Sequence, residues 1–265
     1  MITIQSGALL TEFPTVLYRN VMAEGTLTAT GTGSGAVQNI LGPQTFDYWQ
    51  PAAVGNAAQV VLASLVSCDT FAIDAHNLGT LGATVAFQYR VASTGAWTTI
   101  VTKTPTDDKP IMVFFPAVSA LSWGVAITAA PGTLPSLGII YCGPKLAFPS
   151  PLAVPYTPLN FAANVEVFPS VSIGYQLLAP RFEQHGKATS VPFCPISGPW
   201  MAANIEPFRA IYDTGTPFFY AGCPVTWPLD LGFCRRGMKA GALRHAYDAG
   251  GLWASLNLEV DAYGA

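Results

Sequence analysis

The fold is decided by the stretch Cys68-Asp69-Thr70-Phe71-Ala72-Ile73-Asp74-Ala75-His76-Asn77-Leu78-Gly79-Thr80-Leu81-Gly82-Ala83-Thr84-Val85-Ala86-Phe87-Gln88-Tyr89-Arg90. Apolar residues alternate with polar or small ones over 70–75, and the alternation returns over 85–91, which predicts two β-strands. The residues between them, 76–82, include an asparagine and two glycines that can take positive φ values, so they predict a turn or short loop. We expect this pair of strands to form one side of a β-sandwich.

The composition extends this prediction to the rest of the chain. Of 265 residues, 51% are hydrophobic and only 10% are charged, while 25 Gly and 22 Pro are spread throughout. Such a composition is typical of many short strands joined by tight turns, so we predict a mainly β protein. The charged fraction lies well below the usual ~25%, which predicts that other protein covers much of the surface.

The spacing of the strands predicts two β-rich domains. Further strand patterns recur about every dozen residues up to 141, as expected of a jelly-roll sandwich. We therefore predict a β-sandwich domain over 1–147, a proline-rich connector over 148–160 and a β-rich domain over 161–265. The additional predicted strands are 58–65, 97–101, 111–115, 122–128, 137–141, 165–168, 175–178, 188–193, 216–220 and 252–260.

One helix pattern interrupts the second half near 198–213. Ser197 can cap its start, and Pro199 suits a first helical turn. Pro207 lacks the backbone N–H that a helix interior needs, so it must break or kink the helix, and we interpret the pattern as two short helical pieces within a region of one or two short helices.

Charge and hydropathy argue against several classes of partner. Residues 1–147 carry 5 basic and 7 acidic side chains and the remainder 7 and 8, so neither half is a basic nucleic-acid module. The uncharged run 111–130 is long enough to span a bilayer, but Pro116 and a period of two predict strands and no membrane span. The first residues lack a secretory pattern, and five irregularly spaced cysteines fit synthesis in a reducing cytoplasm.

The polar residues of the central turn are the first candidate site. We interpret Asp74, His76 and Asn77, together with Gly79, as structural groups whose side chains bond nearby backbone. Calcium bound by Asp69, Asp107 or Asp108 is an alternative, because calcium accepts oxygen ligands from separate loops. A zinc site and carboxylate chemistry are weaker alternatives, and we predict no metal, no cofactor and no catalytic residue. The groups considered for those two alternatives are Cys194, Cys223, Cys234 and His245 for zinc, and Glu183 with His185 or Glu206 with Asp213 for carboxylate chemistry.

The aromatic residues of the first half are the second candidate site. Trp49, Tyr89 and Trp97, with Trp123, could stack on sugar rings, as aromatic faces do at carbohydrate sites. The alternative is that these large rings fill the core of the sandwich.

Several segments together resemble structural proteins of tailed bacteriophages. The stretch 68–79 with Gly82, and the later 138–143, resemble a galactose-binding-like jelly-roll module of such proteins. The segments 169–178, 207–208 and 217–220 resemble the domain that accompanies it.

The resemblance implies a non-enzymatic virion protein at the tail tip or baseplate, similar in role to a distal tail protein. Its implied partners are other tail and baseplate proteins and further copies of itself in a homo-oligomeric ring, and its implied location is the virion after synthesis in the bacterial cytoplasm. The sequence leaves two alternatives open, a carbohydrate-binding module for host-surface glycans and a capsid decoration protein, with a glycan depolymerase a more distant third.

Overall fold

The structure is a computed structural model that describes residues 1–8, 12–171, 176–238, 240–248 and 250–263. It confirms a mainly β protein built from two β-rich parts. Tyr175, which the sequence places in a strand, lies outside the described residues. The strands are β1 (Ile2–Ile4), β2 (Thr15–Leu17), β3 (Thr26–Ala29), β4 (Thr32–Ser34), β5 (Gln50–Pro51), β6 (Ala57–His76), β7 (Thr84–Arg90), β8 (Thr98–Lys103), β9 (Ile111–Ala129), β10 (Leu137–Gly143), β11 (Leu146–Ala147), β12 (Ala163–Val171), β13 (Leu177–Pro192), β14 (Ile196–Ser197), β15 (Phe218–Cys223), β16 (Trp227–Arg236), β17 (His245–Tyr247) and β18 (Trp253–Ala262).

The first sheet has the order β10-β6-β9-β7-β8, with β1 beside β9 and β3 beside β6. The central turn forms as predicted, but β6 and β7 do not pair with each other, because β9 lies between them. The early half of β6 pairs with the late half of β9, and the late half of β6 with the early half of β9. Irregularities between these halves let the long strands bend.

The bend closes the first sheet into a sandwich around one apolar core. Phe71, from the late half of β6, lies 5.2 Å from Phe87 and 5.9 Å from Trp123, measured between ring centroids. These partners belong to β7 and to the late half of β9, so the core joins the two layers.

Strand β9 corrects the prediction of separate strands at 111–115 and 122–128. It is one strand that runs through Pro116, which is exposed at the irregularity where β9 and β6 lose regular pairing. A proline is tolerated there because no ladder hydrogen bond needs its missing N–H. Among the described residues, we find no helix with the length and apolar character needed to cross a membrane.

The second sheet has the order β11-β2-β15-β16-β18-β13-β12, and β14 and β17 also pair with β18. Alternate residues of β18 are buried, as its sequence pattern predicts. The helix α1 (Gly198–Asp213) packs on this sheet and buries Met201, Ile205 and Phe208 against it.

Helix α1 is continuous, so the prediction of two short helical pieces is wrong. Ser197 caps it as predicted by accepting a hydrogen bond from the N–H of Trp200 at 3.3 Å. Pro207 lies inside the helix but on its exposed side, where water can bond the carbonyl that a proline leaves free. The buried apolar stripe on the opposite side holds the helix together across the proline.

The two parts share a second apolar core. Ala72, Met112 and Phe114 of the sandwich pack against Phe219 and Phe233 of the second sheet. Strands β2 and β11 lie within the predicted domain 1–147 yet pair in the second sheet. The predicted limits of the domains stay a prediction. In the structure, strands β2 and β11 and the shared apolar core connect the two parts.

The proline-rich segment 148–160 packs closely on the second part. Phe148 is fully buried, and its N–H donates to the carbonyl of Pro14 at 2.9 Å. Leu152 forms a β-bridge with Phe193. The segment is therefore fixed to the second part at several points, while its middle is exposed at Val154.

Candidate functional site

The polar side chains of the central turn bond nearby backbone. His76 Nδ1 accepts a hydrogen bond from the N–H of Leu78 at 3.3 Å, and its Nε2 lies 3.1 Å from the carbonyl of Lys109. Nε2 therefore carries the ring hydrogen. Burial lowers the pKa of His76 to about 4, so the ring is neutral at pH 7. Asn77 Oδ1 accepts from the N–H of Ser136 at 2.7 Å, which ties the turn to the start of β10.

Asp74 follows Ala72 on the side of β6 that packs against the second sheet, where Phe233 and Lys187 lie near it. Its side chain is fully buried, and Oδ1 accepts from the N–H of Ala75 at 2.8 Å. Oδ2 has no partner at regular hydrogen-bond geometry among the described residues, although the backbone of Phe233 and the charge of Lys187 lie near enough to offset part of the effect of burial. Burial raises the pKa of this carboxyl to about 6, because water no longer stabilises its charge. The next residue, Ala75, has a φ of 53°, which is unusual for a residue with a side chain.

Gly79 allows the turn to lie against the loop that precedes β9. A Cβ atom at this position would lie 2.3 Å from the backbone carbonyl of Asp107. Asp108 of the same loop bonds the residue that follows Gly79. It accepts hydrogen bonds from the backbone N–H of Thr80 at 3.0 Å and from the Thr80 hydroxyl at 2.5 Å. The turn is thus fixed by close packing and by charge-assisted hydrogen bonds.

The proposed ion ligands and carboxylate pairs are engaged elsewhere. Asp69 accepts from the ammonium of Lys145 at 2.5 Å, in a largely buried ion pair. Glu206 and Asp213 both contact Arg209 on the surface of α1. The five cysteines are free thiols, and the described residues contain no group of three or more side chains able to hold a metal ion. Glu183 forms an ion pair with Arg181, whereas the side chain of His185 lies outside the described part.

The structure does not bring the predicted aromatic residues together on one exposed surface. Trp49 and Trp123 are fully buried, so neither ring presents a face to a sugar, and both fill the core of the sandwich as the alternative interpretation holds. Trp49 is held there by backbone bonds to Leu137 and by its indole N–H, which donates to Thr32. Tyr89 is partly buried and packs on Trp123 at 5.9 Å, on the core side of β7.

Trp97 is the one of the four that lies on the outside of the sandwich. The guanidinium carbon of Arg90 lies 4.6 Å from the centre of its ring. Arg90 follows Tyr89 in β7 and therefore projects to the opposite, outer face. Gly124 in the neighbouring strand leaves room for the indole, because a Cβ there would lie 3.2 Å from Trp97. We call Arg90, Trp97 and Gly124 the outer-face platform.

Arg90 has few partners for its charge. Nη1 lies 3.4 Å from the carbonyl of Gly95 and Nη2 lies 3.4 Å from Ser122 Oγ, both near the limit for a hydrogen bond. Nε is buried and has no acceptor among the described residues. Within the described chain, no acidic side chain forms an ion pair with Arg90.

Sequence reasoning missed a buried polar cluster under the proline-rich segment. Asp230 of β16 is fully buried and accepts from the hydroxyl of Tyr156 at 2.8 Å and from the N–H of Leu159 at 2.8 Å. Tyr220 extends the cluster by donating to Tyr156 at 3.3 Å. Burial raises the pKa of Asp230. The cluster joins Tyr156 and Leu159 to the distant Tyr220 and Asp230, and no sequence motif links them, so only the fold reveals the cluster, which fastens the segment to the second sheet.

A two-stranded ribbon extends beyond the second sheet. It consists of β12 and residues 177–183 of β13, and every described residue of β12 is exposed. Strand β18 pairs with β13 only from residue 187 onward, so it does not support the ribbon. Apolar side chains lie on both faces, because Val167 faces Phe182 across the pair, while the neighbouring Phe168 faces Arg181. Phe182 is 70% exposed.

A half-open cleft of about 1360 Å³ lies beside the base of the ribbon. Tyr141, Phe233 and Met238 contribute to its apolar walls. Its charged groups are of both signs, as in Lys187 and Asp261, so the cleft selects neither anions nor cations.

Comparisons with known proteins identify structural neighbours only, since no protein-family model and no curated protein matches the chain. The chain is similar to chitosan-binding module 1 of a chitosanase/glucanase from Paenibacillus sp. IK-5, with 19% identity over 47% of this chain and 98% of that chain and a TM-score of 0.41. A Clostridium perfringens carbohydrate-binding module solved with GalNAc-β-1,3-galactose is 9% identical over 48% of this chain and 99% of that chain, with a TM-score of 0.41. A Ruminococcus gnavus fucosidase in complex with fucose is 12% identical over 49% of this chain but only 28% of that chain, with a TM-score of 0.42. These likenesses concern the fold of about half of the chain.

Proposed function

We propose that this protein is a structural subunit of a larger protein assembly. The observation that carries the proposal is the ribbon formed by β12 and residues 177–183, which exposes apolar side chains on both faces. An isolated two-stranded ribbon is at best marginally stable in water. Its nine-residue strand β12 spans roughly 30 Å, and burying its apolar residues against a neighbour would supply the missing stabilisation.

The faces of the ribbon, rather than its free edge, are the surfaces suited to a neighbour. Strand β12 is the last strand of its sheet, but Pro169 and two irregularities in its pairing interrupt the edge. Such features prevent the addition of a further strand. The low charge of the whole chain also supports a protein whose surface is covered by others.

The kind of assembly follows from the resemblance of the sequence to structural proteins of tailed bacteriophages. We place the protein at the tail tip or baseplate of a virion, as a non-enzymatic subunit in a homo-oligomeric ring that contacts other tail proteins. A closed ring satisfies repeated head-to-tail contacts without leaving an unpaired surface.

Analytical ultracentrifugation of the purified protein tests the proposal. We expect a defined oligomer that the double variant Val167→Asp/Phe182→Asp converts to monomer, since both charges would lie in the buried contact. The control is Phe46→Asp, which adds a charge at a 79% exposed phenylalanine outside the ribbon. A wild-type protein that stays monomeric at high concentration, or an oligomer unchanged in the double variant, would contradict the proposal. Immunogold labelling of phage particles from the natural source then tests the place in the virion, with label expected at the far end of the tail.

A second candidate function is glycan binding by the sandwich, and the outer-face platform is the observation that favours it. Trp97 offers an aromatic surface outside the core, next to the hydrogen-bond donors of Arg90. An aromatic ring with a few polar groups is the usual composition of a sugar site. A glycan array tests this function, with saturable binding expected for the wild type and lost in Trp97→Ala.

A further inference from the structure

We infer that the outer-face platform binds sugars that carry a carboxylate, an inference that rests on the proposed glycan-binding function. The argument starts from Arg90, whose guanidinium is always charged. Arg90 is half-buried with its Nε enclosed, and the described chain supplies no carboxylate to pair with its charge. A partner from outside the chain would complete the site.

The geometry of Arg90 favours a planar anion. Its Nε is enclosed, which holds the base of the guanidinium in place. The contacts of Nη1 and Nη2 with Gly95 and Ser122 are long, so both groups can exchange them for shorter bonds to a ligand. A carboxylate accepts two parallel hydrogen bonds from a guanidinium, and such charged bonds are roughly twice as strong as neutral ones.

Trp97 indicates that the anion belongs to a sugar. Its ring lies against the guanidinium at 4.6 Å, within cation–π distance, so the positions of the two groups are coupled. Aromatic rings offer an apolar surface to the C–H groups of a pyranose. Gln88 and Thr99, on neighbouring strands of the sandwich, are neutral polar residues whose side chains are hydrogen-bonded to each other at 3.1 Å. They add hydrogen-bond groups for hydroxyls without adding a charge that would repel an acid.

Isothermal titration with matched probes tests the inference on the full chain. The probes are 3′-sialyllactose against lactose, and trigalacturonate against its methyl ester. We expect the acidic member of at least one pair to bind ten-fold or more tightly than its neutral partner, and the difference to shrink as salt is raised, because charges are screened.

Two variants assign the effect to Arg90. Arg90→Gln should remove the preference for the acid, and Arg90→Lys should restore only part of it, since an ammonium cannot bond a carboxylate in the bidentate manner. Arg19→Gln is the matched control, because Arg19 is an exposed arginine already paired with Glu24 at 2.6 Å. Thermal melting verifies that each variant is folded.

The possible outcomes distinguish a failure of this inference from a failure of the proposed glycan-binding function. Equal binding of acidic and neutral probes that is lost in Trp97→Ala would overturn the inference and leave glycan binding standing. A preference for the acid that survives in Arg90→Gln would also overturn it. No saturable binding of any probe, together with an empty glycan array, would overturn both.

Discussion

Asp74 is a buried carboxyl group with one oxygen unpaired, and it makes stability depend on pH. Its pKa is about 6 in the folded protein against an ordinary value of 3.8, so the folded chain holds the proton more tightly than the unfolded chain. The stability that this proton provides is complete below pH 4 and is lost as the pH rises through 6. The rise in pKa corresponds to roughly 3 kcal/mol at neutral pH.

We therefore expect Asp74→Asn to raise the free energy of unfolding at pH 7.5 by roughly 2 kcal/mol and to have little effect at pH 4. The amide keeps an oxygen for the N–H of Ala75 and carries no charge to bury. Urea unfolding at several pH values measures the effect. Glu206→Gln, at an exposed carboxylate on α1, is the control and should change stability little at either pH. A lower free energy of unfolding for Asp74→Asn at pH 7.5 would contradict this expectation, because it would show that the folded protein stabilises the charged form of Asp74.

Gly79 is required by a close approach of two backbone segments. Gly79→Ala would place a methyl group 2.3 Å from the carbonyl of Asp107, and neither backbone can move without breaking the bonds of Asp108 to Thr80. We expect a loss of about 2 kcal/mol or more in the free energy of unfolding, measured in urea. Gly132→Ala is the matched control, because no atom lies within 4 Å of its added methyl. Equal losses in the two variants would exclude the backbone contact as the cause.

At the scale of elements, α1 shows that tertiary packing can outweigh the tendency of Pro207 to break a helix. The sequence predicts a break at this residue because a proline removes one helix hydrogen bond. The helix continues because the hydrogen bond that Pro207 removes lies on the exposed side of the helix. Met201, Ile205 and Phe208 remain buried on the opposite side. A preference read from neighbouring residues cannot include that burial, which depends on strands distant in sequence.

Replacing this proline should stabilise the helix. We expect Pro207→Ala to raise the free energy of unfolding by about 1 kcal/mol, because it restores a hydrogen bond to the carbonyl of Ala203 and removes a steric conflict. The gain is limited, since alanine also makes the unfolded chain more flexible. Pro199→Ala is the control, as a proline in the first turn interrupts no bond. A variant at 207 no more stable than the control at 199 would contradict this account.

The sequence anticipates elements better than it anticipates sites. The alternation in β18 identifies its buried face correctly, because a strand with one buried face has a period of two. The same period cannot say which sheet a strand joins, and the pairing of β2 with β15 in the second sheet is visible only in the fold. Burial of Trp49 in the core and the half-buried position of Trp97 on the outer face likewise follow from tertiary packing, and an aromatic residue alone does not distinguish a core from a binding surface.

At the scale of the whole molecule, the two β-rich parts should unfold as one unit. They share the apolar interface around Phe219, whose ring is fully buried and lies 5.4 Å from Tyr141 and 5.0 Å from Phe233. Strand β2 adds a backbone connection, because it comes from the first 20 residues and pairs with β15. Neither part can expose this interface without losing buried apolar area.

Phe219→Ala should therefore destabilise both parts together, by about 3 to 5 kcal/mol, the usual cost of such a truncation in a core. Hydrogen exchange followed by mass spectrometry measures the loss separately in β9, which belongs to the sandwich, and in α1, which packs on the second sheet. We expect faster exchange in both segments by the same factor. Phe161→Ala, at a phenylalanine that is 76% exposed, controls for the loss of a ring outside the interface. Faster exchange in α1 with β9 unchanged would mean that the sandwich is stable by itself, and the shared core would then be only a contact between independent domains.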